Sequence, residues 1–232
     1  MARRDKLLQR FDKALAFRRT ALSARLGAAV TEDVLREARE QYESLVEDIP
    51  YAGRDRDIMA INIIIPAELL AFVLVLRRRG HSREEIGTLI SELVEIPFQR
   101  LPIWLVRPFL RLSLPLVRWW MRRQARASQE RQHPDEFIWE VTAGDGTTDL
   151  GINIRSCAVC KTFAKHDAMD VVPYVCALDD RVSRTFDLGL RRSGTIALGA
   201  SHCDFRWKLG GEPRTLGSQF ELPLIDRGKA QE

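Results

Sequence analysis

Apolar positions in the first fifty residues recur three and four apart. Leu7, Leu8, Phe11, Leu15 and Leu22 share one helical face, and Val34, Leu35, Ala38 and Tyr42 begin another after Gly27. The spacing predicts two helices within 5–48, the second capped by Thr31 with acids in its first turn. "DIPYAG" interrupts the pattern. The stretch "MAINIIIPAELLAFVLVL", Met59 to Leu76, is the most hydrophobic of the chain and approaches the length of a membrane span. Asn62, Pro66 and Glu68 lie inside it, and its last apolar run ends at Arg77, Arg78 and Arg79, so a buried core helix is expected. "GHSREEIGTLISELVE" then reads as a short helix, with Ser82 at its N-cap and Glu85 three residues on as a capping box.

Prolines at 97, 102, 108 and 115 predict that the next segment is broken, with Leu116 to Gln132 as its one continuous piece. After Pro134 the period changes from helical to alternating. "FIWEVT" and "LGINIR" read as two strands of a hairpin around "AGDGTTD". "CAVCKTFAKHDAMDVVPYVCALDDRVSRTF" reads as helices broken near Pro173, and "SGTIALGA" and "CDFRWKLGG" as two further strands joined between Gly199 and His202. The expected fold is therefore α+β: a helical N-terminal half, residues 1–133, and a small unit with a mostly antiparallel sheet, residues 134–232.

Composition narrows the class. The chain has 232 residues, enough to bury a core, and its apolar and charged fractions of 45% and 29% are ordinary for a globular protein. Four cysteines are too few for a disulfide scaffold, and the first residues lack a secretory pattern, so reduced thiols and a cytoplasmic location are expected. The net charge of +4 is uneven. Between Pro97 and His133 stand eight arginines and one acid, Glu130. This segment lacks lysine and is rich in leucine, tryptophan and proline, which argues against nucleic acid as a partner. A peripheral membrane contact through 116–132 stays open, as does a role for Leu116, Trp119 and Trp120 in roofing the second half. Oligomeric state is not encoded in any feature of the pattern.

All four cysteines, Cys157, Cys160, Cys176 and Cys203, lie in the second half with the spacing C-x2-C-x15-C-x26-C. Zinc ribbons bring their ligands as two close pairs, and the second pair is missing, so no cofactor is expected, with zinc as the alternative. Three cysteines have polar company. Cys157 follows "NIRS" at a strand end, Cys176 stands three residues before Asp179 on one helical face, and Cys203 is flanked by His202 and Asp204. Cys160 reads as a core residue outside the site. In a strand Cys203 and Asp204 point to opposite faces unless a bulge intervenes, so the sharper pairing sets Cys176 and Asp179 against Cys203.

"NIRSC", "PYVCALDD" and "GTIALGASHCDFRWK", in this order and spacing, resemble the L-2-amino-thiazoline-4-carboxylic acid hydrolase family. The resemblance covers residues 150–208 and rests on Asn153, Cys157, Cys176, Asp179, Arg192, Thr195, Gly199, Cys203, Asp204 and Phe205. The last element is also similar to the end of vinyl-reductase-type ligand-binding domains. Cys160 and the arginine- and proline-rich 97–133 segment have no place in the family pattern. The resemblance implies a hydrolase that opens a thiazoline ring by adding water, yielding an N-carbamoyl cysteine, on a small-molecule substrate. It implies Cys176, Asp179, Cys203, Asp204 and Cys157 as nucleophile and acid/base candidates, the first four converging on one pocket, with Asn153, Arg192 and Thr195 holding substrate; Arg155 and His202 join the substrate-binding candidates by their charge and position. The chemistry suits these residue types. A cyclic amidine carbon is electrophilic once its nitrogen is protonated, a thiolate or a base-directed water can attack it, and an arginine (Arg155, Arg191 or Arg192) can grip a substrate carboxylate. The competing classes are a non-catalytic ligand- or metal-binding module and a membrane-peripheral protein.

Overall fold

A computed structural model describes residues 3–50, 59, 61–94, 103–130, 134–142 and 146–214. Four helices form the first part: α1 (Arg3–Leu26), α2 (Ala28–Leu45), α3 (Ile61–Arg78) and α4 (Arg83–Glu92). A long helix, α5 (Ile103–Gln129), leads to the hairpin strands β1 (Ile138–Thr142) and β2 (Leu150–Ser156). The chain then runs through α6 (Ala158–Ala164), α7 (Val172–Thr185), a two-residue strand β3 (Leu190–Arg191) and β4 (Cys203–Trp207). The fold is α+β, with an antiparallel sheet in the order β1-β2-β4-β3.

The apolar faces of α1, α2 and α3 meet where Phe11 stacks on Tyr42 at 4.7 Å and on Phe72 at 5.7 Å. Within this apolar layer Arg18 and Glu68 form a buried ion pair, and Arg18 lies over the Phe11 and Phe72 rings. From Ile61 onward the hydrophobic stretch forms α3, with Leu69 to Val73 fully enclosed, and no helix among the described residues is long and apolar enough to cross a membrane. Ser82 caps α4 in a capping box with Glu85. One continuous core joins both parts of the chain, from Phe11 and Phe72 through Ile90 to Phe163, Val172 and Leu190. The expected boundary near residue 133 falls outside the described residues.

Three local expectations are corrected. Thr31 is not the cap of α2: Gly27, at φ 77°, takes that position because only glycine occupies it without strain, and the Thr31 hydroxyl donates to the Gly27 carbonyl from inside the helix at 2.8 Å. Pro108 and Pro115 do not divide α5; both are exposed, so the carbonyls they leave unbonded fall on the side open to water. The described part of the segment is thus one helix starting thirteen residues before Leu116 (116 − 103), while Pro97 and Pro102 lie outside the described residues. Residues 193–200 are not a strand but a turn and a 3-10 segment, Ile196–Leu198, ended by Gly199 at φ 88°. The backbone N–H groups of Ser193 and Gly194 bind one side chain rather than a neighbouring strand.

That side chain belongs to Asp204. Its carboxylate accepts from the N–H of Ser193 at 2.9 Å, the Ser193 hydroxyl at 2.7 Å and the N–H of Gly194 at 2.8 Å. Burial works against its charge, but these bonds win and hold its pKa below the usual carboxylate value. At the opposite sheet edge, Ser128 and Gln129 of α5 hydrogen-bond the free backbone groups of Trp139. The helix thereby covers the exposed edge of β1.

Candidate active site

Sheet register sorts the site residues onto two faces. Ile154 pairs with Cys203 and Asn153 with Asp204, so Cys203 and Phe205 face the core while Asn153 and Asp204 face away. On the cysteine side, β2 ends directly before Cys157, which is the N-cap residue of α6. Cys160 follows on that helix, Cys176, Asp179 and Asp180 come from α7, and Arg192, Thr195 and Ile196 come from the loop that Asp204 pins. Segments far apart in sequence thus bring four thiols, two carboxylates and one guanidinium into mutual electrostatic range.

Arg192 is the hinge of this cluster. Its side chain is enclosed, lies over the Phe205 ring at 5.1 Å, and donates to Asp179 Oδ2 at 3.1 Å, Asp180 Oδ2 at 3.1 Å and the Cys176 carbonyl at 2.9 Å. Its Nε and the Thr195 hydroxyl are buried without a partner. Unmet donors at such a position are the usual mark of a group awaiting a ligand or a water.

Asp179 keeps 47% of its side-chain surface open, yet dense surrounding protein pushes its carboxyl up to about 6 against the opposing pull of Arg192. It is open on one side and crowded on the others, so water limits the rise. Asp180 is more enclosed and is raised by the same desolvation, again opposed by Arg192.

The four thiols are not equivalent. Burial raises Cys176, with the Asp179 charge adding to it, and burial raises Cys203 to about 11 although the Ile196 N–H donates to its sulfur at 3.2 Å. Cys160 is raised by Cys157 and by burial. Cys157 alone is lowered, first by the Cys160 thiol and then by the backbone N–H groups of Cys160 and Val159, which outweigh burial. The Cys160 thiol and these backbone groups act on the sulfur at short range, although its side chain closes no capping hydrogen bond on α6. Of the four thiols, only Cys157 is shifted towards its thiolate form.

Five of the expected site residues therefore share one place: Cys157, Cys176, Asp179, Cys203 and Arg192, with Thr195 beside them. Cys160 is buried in the core, as expected, yet it lies against Cys157, a proximity that the C-x2-C spacing signalled. Asp204, Asn153, Arg155 and His202 are not brought to the cysteines. Asp204 faces the other way because strand side chains alternate, and it positions the Arg192 loop from behind. Asn153 donates to Glu140 Oε1 at 3.1 Å and accepts from Arg206 at 2.8 Å, and Arg155 pairs with the same Glu140 at 2.7 Å. His202 contacts the Ser201 hydroxyl at 3.0 Å and acts on Glu140, on that same outer face. Among the described residues no three His, Cys, Asp or Glu side chains are arranged to hold a metal ion. Asp180 was missed by sequence reasoning, although its adjacency to Asp179 in "CALDD" could have signalled a shared cation.

Leu116 and Trp119 point to solvent, and of the three expected roof residues only Trp120 packs against the core. No curated protein and no solved structure matches the chain. A family model described as L-2-amino-thiazoline-4-carboxylic acid hydrolase matches residues 108–207, which contain the whole cysteine cluster, its supporting sheet and most of α5. Over those residues, from within α5 to the last residue of β4, the chain is similar to the L-2-amino-thiazoline-4-carboxylic acid hydrolase family.

Proposed function

We propose that the protein is a hydrolase that opens a small cyclic amidine or thiazoline ring, with an L-2-amino-thiazoline-4-carboxylate-like substrate. The observation that carries this reading is the gathering of the thiols, the Cys157 one lowered, with the Asp179 carboxyl, which burial raises to about 6, around the buried Arg192 guanidinium that bonds Asp179, Asp180 and the Cys176 carbonyl. A nucleophile, a proton carrier and an anion clamp are the three parts such a reaction needs. The family matched over 108–207 supports the same reaction class.

In this reading the Cys157 thiolate attacks the ring carbon that carries two nitrogens and the ring sulfur. The ring carbon–sulfur bond breaks, and the departing sulfur takes its proton from the Asp179 carboxyl. The substrate carbon is then joined to Cys157 as an S-linked isothiourea. Water attacks that carbon, Asp179 takes back a proton, and the Cys157 thiolate leaves with its electron pair. One water has been added, the product is an N-carbamoyl cysteine, and both enzyme groups are restored. Arg192 Nε and the Thr195 hydroxyl, unpartnered in the structure, would receive the substrate carboxylate. The reaction as written draws on side chains alone.

The test is incubation of the purified protein with L-2-amino-thiazoline-4-carboxylate, read by mass spectrometry. Formation of a product one water heavier, lost in Cys157→Ala and much slowed in Asp179→Asn, is the expected result. A native protein that binds the compound without converting it would replace the hydrolase by a binding module.

A further inference from the structure

One side of α5 has no partner among the described residues. Phe109, Leu112, Leu116 and Trp119 are 71%, 85%, 67% and 60% exposed, and they stand three, four and three residues apart. At 100° per residue they form a single stripe along the helix, about 15 Å long from first to last. It lies opposite the face formed by Val117, Met121 and Ala125, which packs against the core. Neither the ring-opening site nor the sheet uses these four side chains.

The charge around the stripe says what fits it. Ile103–Gln129 contains six arginines and no acidic residue. Arg118 is spent on the Asp149 carbonyl. Arg111, Arg122, Arg123 and Arg126 are exposed, and none makes an ion pair among the described residues. Arg111, Arg122 and Arg126 flank one side of the stripe, and Arg123 stands at its C-terminal end. A second copy of this chain would press these like charges together with no acid on the helix to relieve them. An anionic phospholipid surface instead meets each feature. Leucine and phenylalanine enter the acyl boundary, tryptophan sits at the headgroup level, and the arginines meet phosphate. Because its opposite face is anchored on the sheet, the helix can lie flat in the membrane plane. We propose that α5 is an interfacial anchor that docks this protein on anionic membranes.

The test is sedimentation of the full chain with vesicles of phosphatidylglycerol and phosphatidylcholine, against vesicles of phosphatidylcholine alone. Binding to the anionic vesicles only is expected, and salt at about 0.5 M should weaken it, since screening is then short-ranged. Arginines near such a surface contribute about fivefold each, so Arg122→Gln with Arg123→Gln should weaken binding about thirtyfold. Leu112→Glu with Leu116→Glu should abolish it, while both double variants keep the native melting temperature because these side chains touch water. In the native protein, brominated lipid should quench part of the tryptophan fluorescence, which needs no variant. The proposal is overturned by absence of binding to anionic vesicles, by equal binding to neutral ones, or by undiminished binding of the arginine variant. A dimer of the free protein that Leu112→Glu with Leu116→Glu dissolves would also overturn it, by assigning the stripe to a second copy.

Discussion

Replacing Arg192 by methionine probes how the candidate site is held together. The substitution keeps much of the side-chain volume but removes the bonds to Asp179, Asp180 and the Cys176 carbonyl. Breaking a buried ion pair by deleting one partner costs about 3–5 kcal/mol, because the other charge stays buried without compensation. Asp179 is half open and can turn to water, so the cost falls mainly on Asp180, whose Oδ1 already lacks a partner, and on the Cys176 carbonyl. About 3 kcal/mol is the expected loss, set against the roughly 5–15 kcal/mol of a typical domain. The protein should therefore fold, but less stably. The pH dependence follows from the sign of the shifts. Both carboxyls are already raised in the folded state, and losing the guanidinium raises them further. Their charged forms then cost stability above the folded pKa, and the cost vanishes as the pH falls towards the unfolded value. Urea unfolding at about pH 7.5 and about pH 4.5 reads both quantities, and the deficit should shrink at the lower pH. A loss under about 1 kcal/mol, or one equal at both pH values, would refute the assignment of Arg192 as the buried counter-charge.

Asp179→Asn should lower kcat/KM by on the order of a hundredfold, the low end of acid catalysis, and remove the decline expected as pH rises through about 6. The same variant should be no less stable than the native protein at about pH 8, because the raised native carboxyl contributes stability only while protonated and loses it through its folded pKa. A lower melting temperature there would contradict this. Glu68→Ala strands Arg18 inside the helical core and should cost about 3–5 kcal/mol by denaturant unfolding; a change below about 1 kcal/mol would mean the pair is dispensable. Gly87→Ala places a Cβ 2.3 Å from the Tyr174 ring, where α4 meets α7, and should destabilise by about 1–3 kcal/mol, with an unchanged melt as the contrary result. Dialysis against a chelator should leave turnover intact, whereas recovery only on adding zinc would bring metal chemistry into the reaction.

Much of this architecture was legible because each signal was local. The helical periods of α1 to α3, the capping box at Ser82 and Glu85, and the alternation of β1 and β2 follow from spacing alone. The first two departures also have local causes: Gly27 could reach the positive φ of the α2 cap and Thr31 could not, and the prolines of α5 face water. The 193–200 segment was misread because its backbone partner, the Asp204 carboxylate, is supplied from another strand, and no sequence period encodes such a bond. The same limit applied to the site. Family resemblance picked residues on both faces of the sheet, and only the Ile154–Cys203 and Asn153–Asp204 register separated those that line the cysteine cluster from those that brace it. The place of Cys160 and Asp180 depended on how α6 and α7 pack, which adjacency in sequence hints at and tertiary structure decides.

The central claim, that Cys157 is the reactive thiol of a ring-opening site, is tested most directly by limited alkylation. Native protein is treated with substoichiometric iodoacetamide at neutral pH, the labelled cysteine is mapped by peptide mass spectrometry, and turnover of L-2-amino-thiazoline-4-carboxylate is measured on the same samples. First labelling at Cys157, with turnover falling in proportion and substrate slowing both, is the expected result. Label at Cys157 with turnover unimpaired, or label going first to Cys176 or Cys203, would contradict the account.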